Sequence, residues 1–201
     1  MLITKEIRGN MLRTIKTSIV AFLFFAILTG VIYPLLITGV AQGIFPFQAN
    51  GSIIKASNGS AGGSVLIGQS FTSPKYFWGR LSATSPAPYN AATSGGTNYS
   101  VLNDALLKQV KDRVAALQAA DPGNTALVPV DLVTASASGL DPNISPAAAY
   151  YQVSRVARER GLSEEKVRAL VQQHIESPIW GILGEPRVNV LMLNLALDSL
   201  Q

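Results

Sequence analysis

Residues 17–44 read TSIVAFLFFAILTGVIYPLLITGVAQGI, which is 28 residues without a single charge. A helix needs about 20 mostly apolar residues to cross a hydrocarbon core of about 30 Å. The stretch from Ser18 to Val40 meets that requirement and has no polar face, as a helix surrounded by lipid should not. Pro34 removes one backbone donor inside the span, which membrane helices tolerate. Gly30 and Gly39 offer small surfaces to a neighbouring helix, although their spacing is not GxxxG.

The 16 residues before this run carry Lys5, Arg8, Arg13 and Lys16 against Glu6, and the first charge after it is Lys55. That asymmetry predicts a cytoplasmic N-terminus and a main domain on the opposite, extracytoplasmic side. A cleaved signal peptide is the competing reading, with Gly39-Val40-Ala41 as a small-residue cleavage site. The apolar run exceeds the 7–15 residues or so of a signal core, which favours a retained anchor.

The chain has 201 residues, no cysteine and a net charge of +4. The missing thiols exclude a thiolate metal site and a cysteine nucleophile. The basic tail accounts for +3 of the net charge and everything after it for +1. A phosphate-tracking surface needs clustered cations, so nucleic acid is not an expected partner.

The expected organisation is a basic tail over 1–16, a transmembrane helix over 17–44, a linker over 45–64 and an α+β domain over 65–201. The linker, NGSIIKASNGSAGGS over 50–64, reads as turn-rich or as a loose hairpin. The domain reads as helix-rich with few short strands. Val65 to Ile67 and ALVPV over 126–130 are strand candidates, and 81–98 is a long loop. VLNDALLKQVKDRVAALQAA over 101–120 has helical periodicity, with Asn98 or Ser100 as the expected cap. Ser145 followed by Pro146 starts a helix that Gly161 ends, and Ser163 with Glu164 and Glu165 starts another, running to about Ile175. The final run, RVNVLMLNLALDSL, is long enough for a helix, while the alternation at its start allows a strand.

VPVDLVTASASGLDPNIS, residues 128–145, concentrates loop chemistry. Asp131, Ser136, Ser138 and Asp141 could serve a hydrolase if the lone histidine, His174, reached one of the serines. No nucleophile elbow accompanies them, and Asp141-Pro142-Asn143 is ordinary turn chemistry. With one histidine and no EF-hand spacing, no metal site is expected. Ser94-Gly95-Gly96-Thr97 could bind an anion through backbone N–H groups but lacks the lysine of a Walker A loop. No catalytic set is therefore expected in the chain itself.

Four segments then point to a family. GQSFTSPKYFWGRLSA (68–83), VPVDLVTASASGLDPNISPAAA (128–149), QVSRVARERGL (152–162) and GILGEPRVNVLMLNLAL (181–197) follow one N-terminal span in this order. Together they resemble the C chain of the Kdp potassium-transporting ATPase, the KdpC family. Residues 84–104, which include GGTNYSVLND, depart from the family pattern.

The resemblance implies an accessory, non-catalytic subunit of a high-affinity potassium uptake complex in the inner membrane. Its implied partners are a channel-like potassium-conducting chain, a P-type ATPase chain that hydrolyses ATP, and a very small accessory chain. The C chain binds no cofactor tightly, ATP and potassium being handled by the complex. It is described as a catalytic chaperone that raises the ATP affinity of the hydrolysing chain, with a glutamine implicated, and Gln152 matches that glutamine best. The charge asymmetry puts Gln152 on the side away from ATP, so an indirect coupling is expected. The candidate partner interface comprises Tyr76, Trp78 and Arg80 in the aromatic loop, where packing is an equal alternative, and Asp131, Ser136 and Asp141 in the 128–145 loop.

Overall fold

The computed structural model describes residues 2–55 and 61–200. Met1, Gln201 and residues 56–60, which fall within the 45–64 linker, lie outside the described residues. The chain divides into two units, Met1–Ser52 and Ile53–Gln201.

The first unit is dominated by one long helix. α1 (Leu2–Ile27) passes through a π-helical turn (Leu28–Ile32) into α2 (Tyr33–Ile44). An apolar stretch within Asn10–Ile44 reaches a mean hydropathy of 2.5, and this helix is the one candidate membrane span among the described residues. The π turn lies directly before Pro34. A proline donates no N–H to the carbonyl four residues back, here Gly30, and its ring crowds that carbonyl. The backbone widens instead, and Tyr33 N–H bonds the carbonyl of Leu28, five residues back. Thr14, Thr17 and Thr29 each donate their hydroxyl to the carbonyl four residues earlier, at 3.0, 2.9 and 2.7 Å. For Thr17 and Thr29, inside the uncharged run, such a bond satisfies a hydroxyl that lipid could not. A four-residue helix, α3 (Pro46–Ala49), follows.

The second unit mixes helices with short strands. β1 (Ile53–Lys55) and β2 (Ala61–Ser64) pair antiparallel. The chain turns immediately after β2, so Val65 to Ile67 form a turn rather than the expected strand. A second sheet has the order β3 (Asn143–Ile144), β5 (Arg187–Asn189), β4 (Ile175–Glu176), all antiparallel. Around it lie α4 (Asp104–Ala120), α5 (Pro146–Tyr151), α6 (Val153–Arg160), α7 (Glu164–Gln173) and α8 (Val190–Asp198).

Several boundaries follow from caps. Ser145 accepts the Ala148 N–H at 3.0 Å to start α5, and Gly161 ends α6 at φ +64°, a conformation that favours glycine. Ser163 caps α7. α4 starts later than expected, because the Asn103 side chain accepts the Ala105 N–H at 2.8 Å and neither Asn98 nor Ser100 is the cap. Residues 126–130 make no strand: they have no neighbouring strand, Pro129 offers no N–H, and the chain enters a 3-10 turn at Val130–Leu132. The last run is a strand and then a helix. Asn189 ends β5 and caps α8 with a 3.1 Å bond from Met192 N–H.

The core joins Phe77 and Leu132 to Ala148, Val153 and Val156, Val167 and Val171, Val188, and Leu193 and Leu197. It is built from helix faces and two loops, with little sheet.

Candidate functional site

The aromatic loop enters the core without a strand partner. Buried N–H and C=O groups must be paired, and here two side-chain amides pair them. Asn194 of α8 accepts the Phe77 N–H at 2.9 Å and donates to the Phe77 carbonyl at 3.0 Å. Gln152, at the joint between α5 and α6, accepts the Trp78 N–H at 2.8 Å and donates to the Trp78 carbonyl at 3.1 Å. Each amide thus does for one loop residue what a neighbouring strand would do.

Gln152 is 1% exposed. Its amide nitrogen also donates to Ala148 O at 3.1 Å, and its oxygen accepts from Arg155 Nη2 at 2.6 Å. Arg155 in turn donates Nη1 to the carbonyls of Pro74 and Tyr76. Trp78 is 8% exposed, and two guanidinium groups stack near its ring, Arg155 at 4.3 Å and Arg113 at 5.1 Å from its centroid. Burial pulls Arg155 down to about 10, with Asp121 opposing; the group stays cationic at neutral pH. Burial also lowers Arg113.

Tyr76 sits at the edge of the same cluster. Its hydroxyl donates to Asp198 at 3.1 Å, and Arg160 binds that carboxylate at 2.6 Å while lying 4.8 Å from the Tyr76 centroid. The next cation of α6, Arg158, binds Asp121 at 2.6 Å, a hydrogen bond that holds its guanidinium above the ordinary range. The arginines at 155, 158 and 160 therefore fasten loops of this chain.

The 128–145 loop runs beside the aromatic one. Leu81 and Ala135 form a parallel bridge, and Ser136 N–H bonds Leu81 O at 3.1 Å. Arg80 donates to Asp141 at 3.2 Å and to Ala135 O at 3.3 Å. Asp141 accepts the Asn143 N–H at 3.0 Å, the turn expected from Asp-Pro-Asn. Asp131 accepts both the N–H (2.7 Å) and the hydroxyl (3.1 Å) of Ser145, the cap of α5. Asp131, Asp141 and Arg80 thus brace the loop, and together with Val130, Ser145, Glu185 and Arg187 they line an open groove of about 580 Å³.

Ser136 is buried, and its hydroxyl has no hydrogen-bond partner. Ser138 Oγ accepts from Leu140 N–H, and His174 Nδ1 is bonded to Leu170 O at 2.8 Å. Neither serine is hydrogen-bonded to His174, so the structure does not assemble the hydrolase triad. Ser94 to Thr97 lies in irregular loop and does not start a helix. Gly95 N–H bonds Ser138 O at 2.8 Å, and a Cβ on Gly96 would meet Ala137 O at 2.8 Å. Gly96 allows the 81–98 loop to lie directly on the 128–145 loop. Among the described residues no group of three or more His, Asp or Glu is placed to hold a metal ion.

Sequence reasoning singled out Gln152 and Trp78 but missed Asn194, Arg155 and Arg113. Asn194 left a signal, as the one polar residue within VLMLNLAL, the apolar run of α8. Arg155 left none distinguishable from an exposed helix arginine.

The pattern of the KdpC family, described as the c chain of the K+-transporting ATPase, matches residues 15–199, span and domain together. The potassium-transporting ATPase KdpC subunit of Variovorax paradoxus is 62% identical over 185 residues, covering 92% of this chain and 95% of its own. That of Polaromonas naphthalenivorans is 63% identical over 187 residues, covering 93% and 95%. That of Herpetosiphon aurantiacus is 60% identical over 186 residues, covering 92% and 96%. With the span, the braced loops and these relatives in agreement over nearly its full length, the chain belongs to the KdpC family, the c chains of the K+-transporting ATPase.

Proposed function

We propose that this chain is the accessory, non-catalytic subunit of an ATP-driven potassium uptake complex in the inner membrane. The observation that carries the reading is the family match across residues 15–199, which takes in both the anchor and the domain. The basic tail faces the cytoplasm and the domain lies on the other side. There it holds a channel-like potassium-conducting subunit in a working arrangement with a P-type ATPase subunit and a small accessory chain. ATP and potassium are handled by those partners.

The subunit raises the nucleotide affinity of the hydrolysing chain at a distance. Two considerations support an indirect route. The charge asymmetry favours an orientation with Gln152 across the membrane from cytoplasmic ATP, and its amide already serves Trp78, Ala148 and Arg155. In this reading Gln152 sets the shape of the aromatic loop, and assembly of the domain favours the conformation of the ATPase chain that binds nucleotide. A coupling of this kind is a free energy shared between two sites and is reciprocal.

The test is purification of the tagged full-length chain from detergent-solubilised membranes of potassium-starved cells. Recovery of a large P-type ATPase chain and a polytopic channel-like chain, with potassium-stimulated ATPase activity, supports the reading. Recovery of the tagged chain alone, from membranes that contain those partners, overturns it. Photolabelling of the domain by an ATP analogue loaded only inside right-side-out vesicles would overturn the indirect route.

A further inference from the structure

The hairpin between β4 and β5 carries apolar surface that the domain itself does not use. From Ser177 to Gly184 it has no charged residue. Ile179 and Leu183 face each other across it, with N–H to O distances of 2.9 and 3.0 Å in the two directions. Gly181 N–H bonds Pro178 O at 2.9 Å, and Ile182 N–H bonds Ile179 O at 3.2 Å. The apex is therefore a hydrogen-bonded turn of defined shape.

At that apex Trp180 is 85% exposed and Ile182 79%, with Ile179 and Leu183 more than half exposed. Trp180 sits at φ +54°, next to Gly181 at +76°. A bulky non-glycine residue in the left-handed region is strained. Nothing within the domain repays that strain, because the ring it presents touches mainly solvent. Strained backbone of this kind concentrates at sites of function.

The base of the hairpin is continuous with the groove already described. Glu185, Pro186 and Arg187 line it together with Pro129, Val130 and Asp131. Val130 is itself largely exposed. Arg187 is held by Glu176 at 2.9 Å and Arg80 by Asp141 at 3.2 Å. Among the described residues Glu185 has no ion pair, so the rim carries an uncompensated negative charge beside the apolar tip. An anionic membrane surface would repel it, and residues 177–184 carry no cation to reverse that. An apolar cleft in a protein, with a basic group at its edge, matches both the tip and the rim. Tryptophan is the residue type most enriched among the anchors of such contacts.

We propose that the hairpin apex, Ile179, Trp180, Ile182 and Leu183, is the anchor by which this chain seats in an apolar, basic-rimmed cleft of another subunit of its complex. The inference rests on the accessory-subunit reading and names the contact that reading requires.

The test uses two variants of the full-length chain. The chain has no cysteine, so Ile182→Cys gives one maleimide target on it. Its labelling rate is measured with the chain alone in nanodiscs and again in the assembled complex. Fast labelling alone and labelling at least tenfold slower in the complex support the proposal. Loss of assembly by this variant with an unchanged melting midpoint supports it equally. Equal rates in both states overturn it, as does slow labelling in the chain alone, which would mean that lipid or a second copy covers the tip. The second variant, Trp180→Gly, removes the ring and relieves the positive φ. It is expected to lower co-purification of the other subunits at least tenfold without lowering the melting midpoint. If wild-type chain recovers its partners and Trp180→Gly recovers them equally, the anchor proposal alone fails. If wild-type chain recovers none, the subunit reading fails with it.

Discussion

Replacing Gln152 with alanine removes four hydrogen bonds from a site that is 1% exposed. The Trp78 N–H and C=O both lose their amide partner, and Arg155 loses one acceptor at 2.6 Å. Ala148 O loses least, since it belongs to a helix. Each buried polar group left unpaired costs about 1–3 kcal/mol, with charged groups at the upper end. Three such groups, partly relieved by relaxation, give a loss of about 4 kcal/mol. That is a large share of the 5–15 kcal/mol or so that stabilises an ordinary domain. For a domain of this size it corresponds to a fall of roughly 8–16 °C in melting midpoint. The assay is urea unfolding of the full-length chain in detergent, followed by Trp78 fluorescence in a Trp180→Phe background. In the complex, nucleotide affinity should fall in step with the folded fraction or with loss of the subunit. A Gln152→Ala chain within about 1 kcal/mol of wild type that still assembles, yet lowers nucleotide affinity, would refute the reasoning and make the amide itself the functional group.

Asn194→Leu should cost about 2–4 kcal/mol by the same route, because it strands the Phe77 N–H and C=O; urea unfolding measures it. Asp131→Ala should cost about 1–2 kcal/mol and speed hydrogen exchange at the start of α5, since Ser145 loses both of its bonds to that carboxylate. Tyr89 is raised above its ordinary 10.0, chiefly by burial, with Arg113 opposing. A phenol with a raised folded-state pKa contributes stability that is present below the unfolded pKa and lost as pH rises through the folded one. The extra stability of wild type over Tyr89→Phe should therefore shrink as pH rises past the ordinary 10.0, as denaturant titrations on either side of that pH would show.

The parts of the fold legible in sequence were those set by local chemistry. An uncharged run declared the span, and Ser145-Pro146, Gly161 and Ser163 declared their helix ends, because a cap acts within three or four residues. The 101–120 helix was visible but its start was not, since Asn98, Ser100 and Asn103 are all competent caps and only the path of the loop selects among them. Val65 to Ile67 and ALVPV failed as strands for a different reason. A strand exists only with a neighbour, and neighbours are assigned by the tertiary fold. RVNVLMLNLALDSL showed both its alternation and its helical length, and the structure uses them in succession. At the site, Gln152 was reached through family resemblance, whereas its work on Trp78, 74 residues away in sequence, has no local signature.

The bonds around the aromatic loop constrain how this domain can act on a partner. A loop held by a strand can slide in register; one held by two amides and one guanidinium cannot shift without stranding a buried donor or acceptor at each. The segment 73–80 is fixed in this way by Asn194, Gln152 and Arg155, and Arg80 then passes the constraint to Asp141 and Ala135 in the neighbouring loop. Asp131 carries it on to the cap of α5, the helix that leads to Gln152. The path closes on itself. A closed set of buried and part-buried bonds favours one arrangement over any intermediate one, so the domain is suited to hold a partner in one state and poorly suited to move with it. A rigid brace alters a distant equilibrium only through the difference in its affinity for the partner's two states. Loosening the ring at Gln152 should then weaken the coupling to nucleotide and the hold on the partner together, whereas removing Trp180 should release the partner and leave the ring intact.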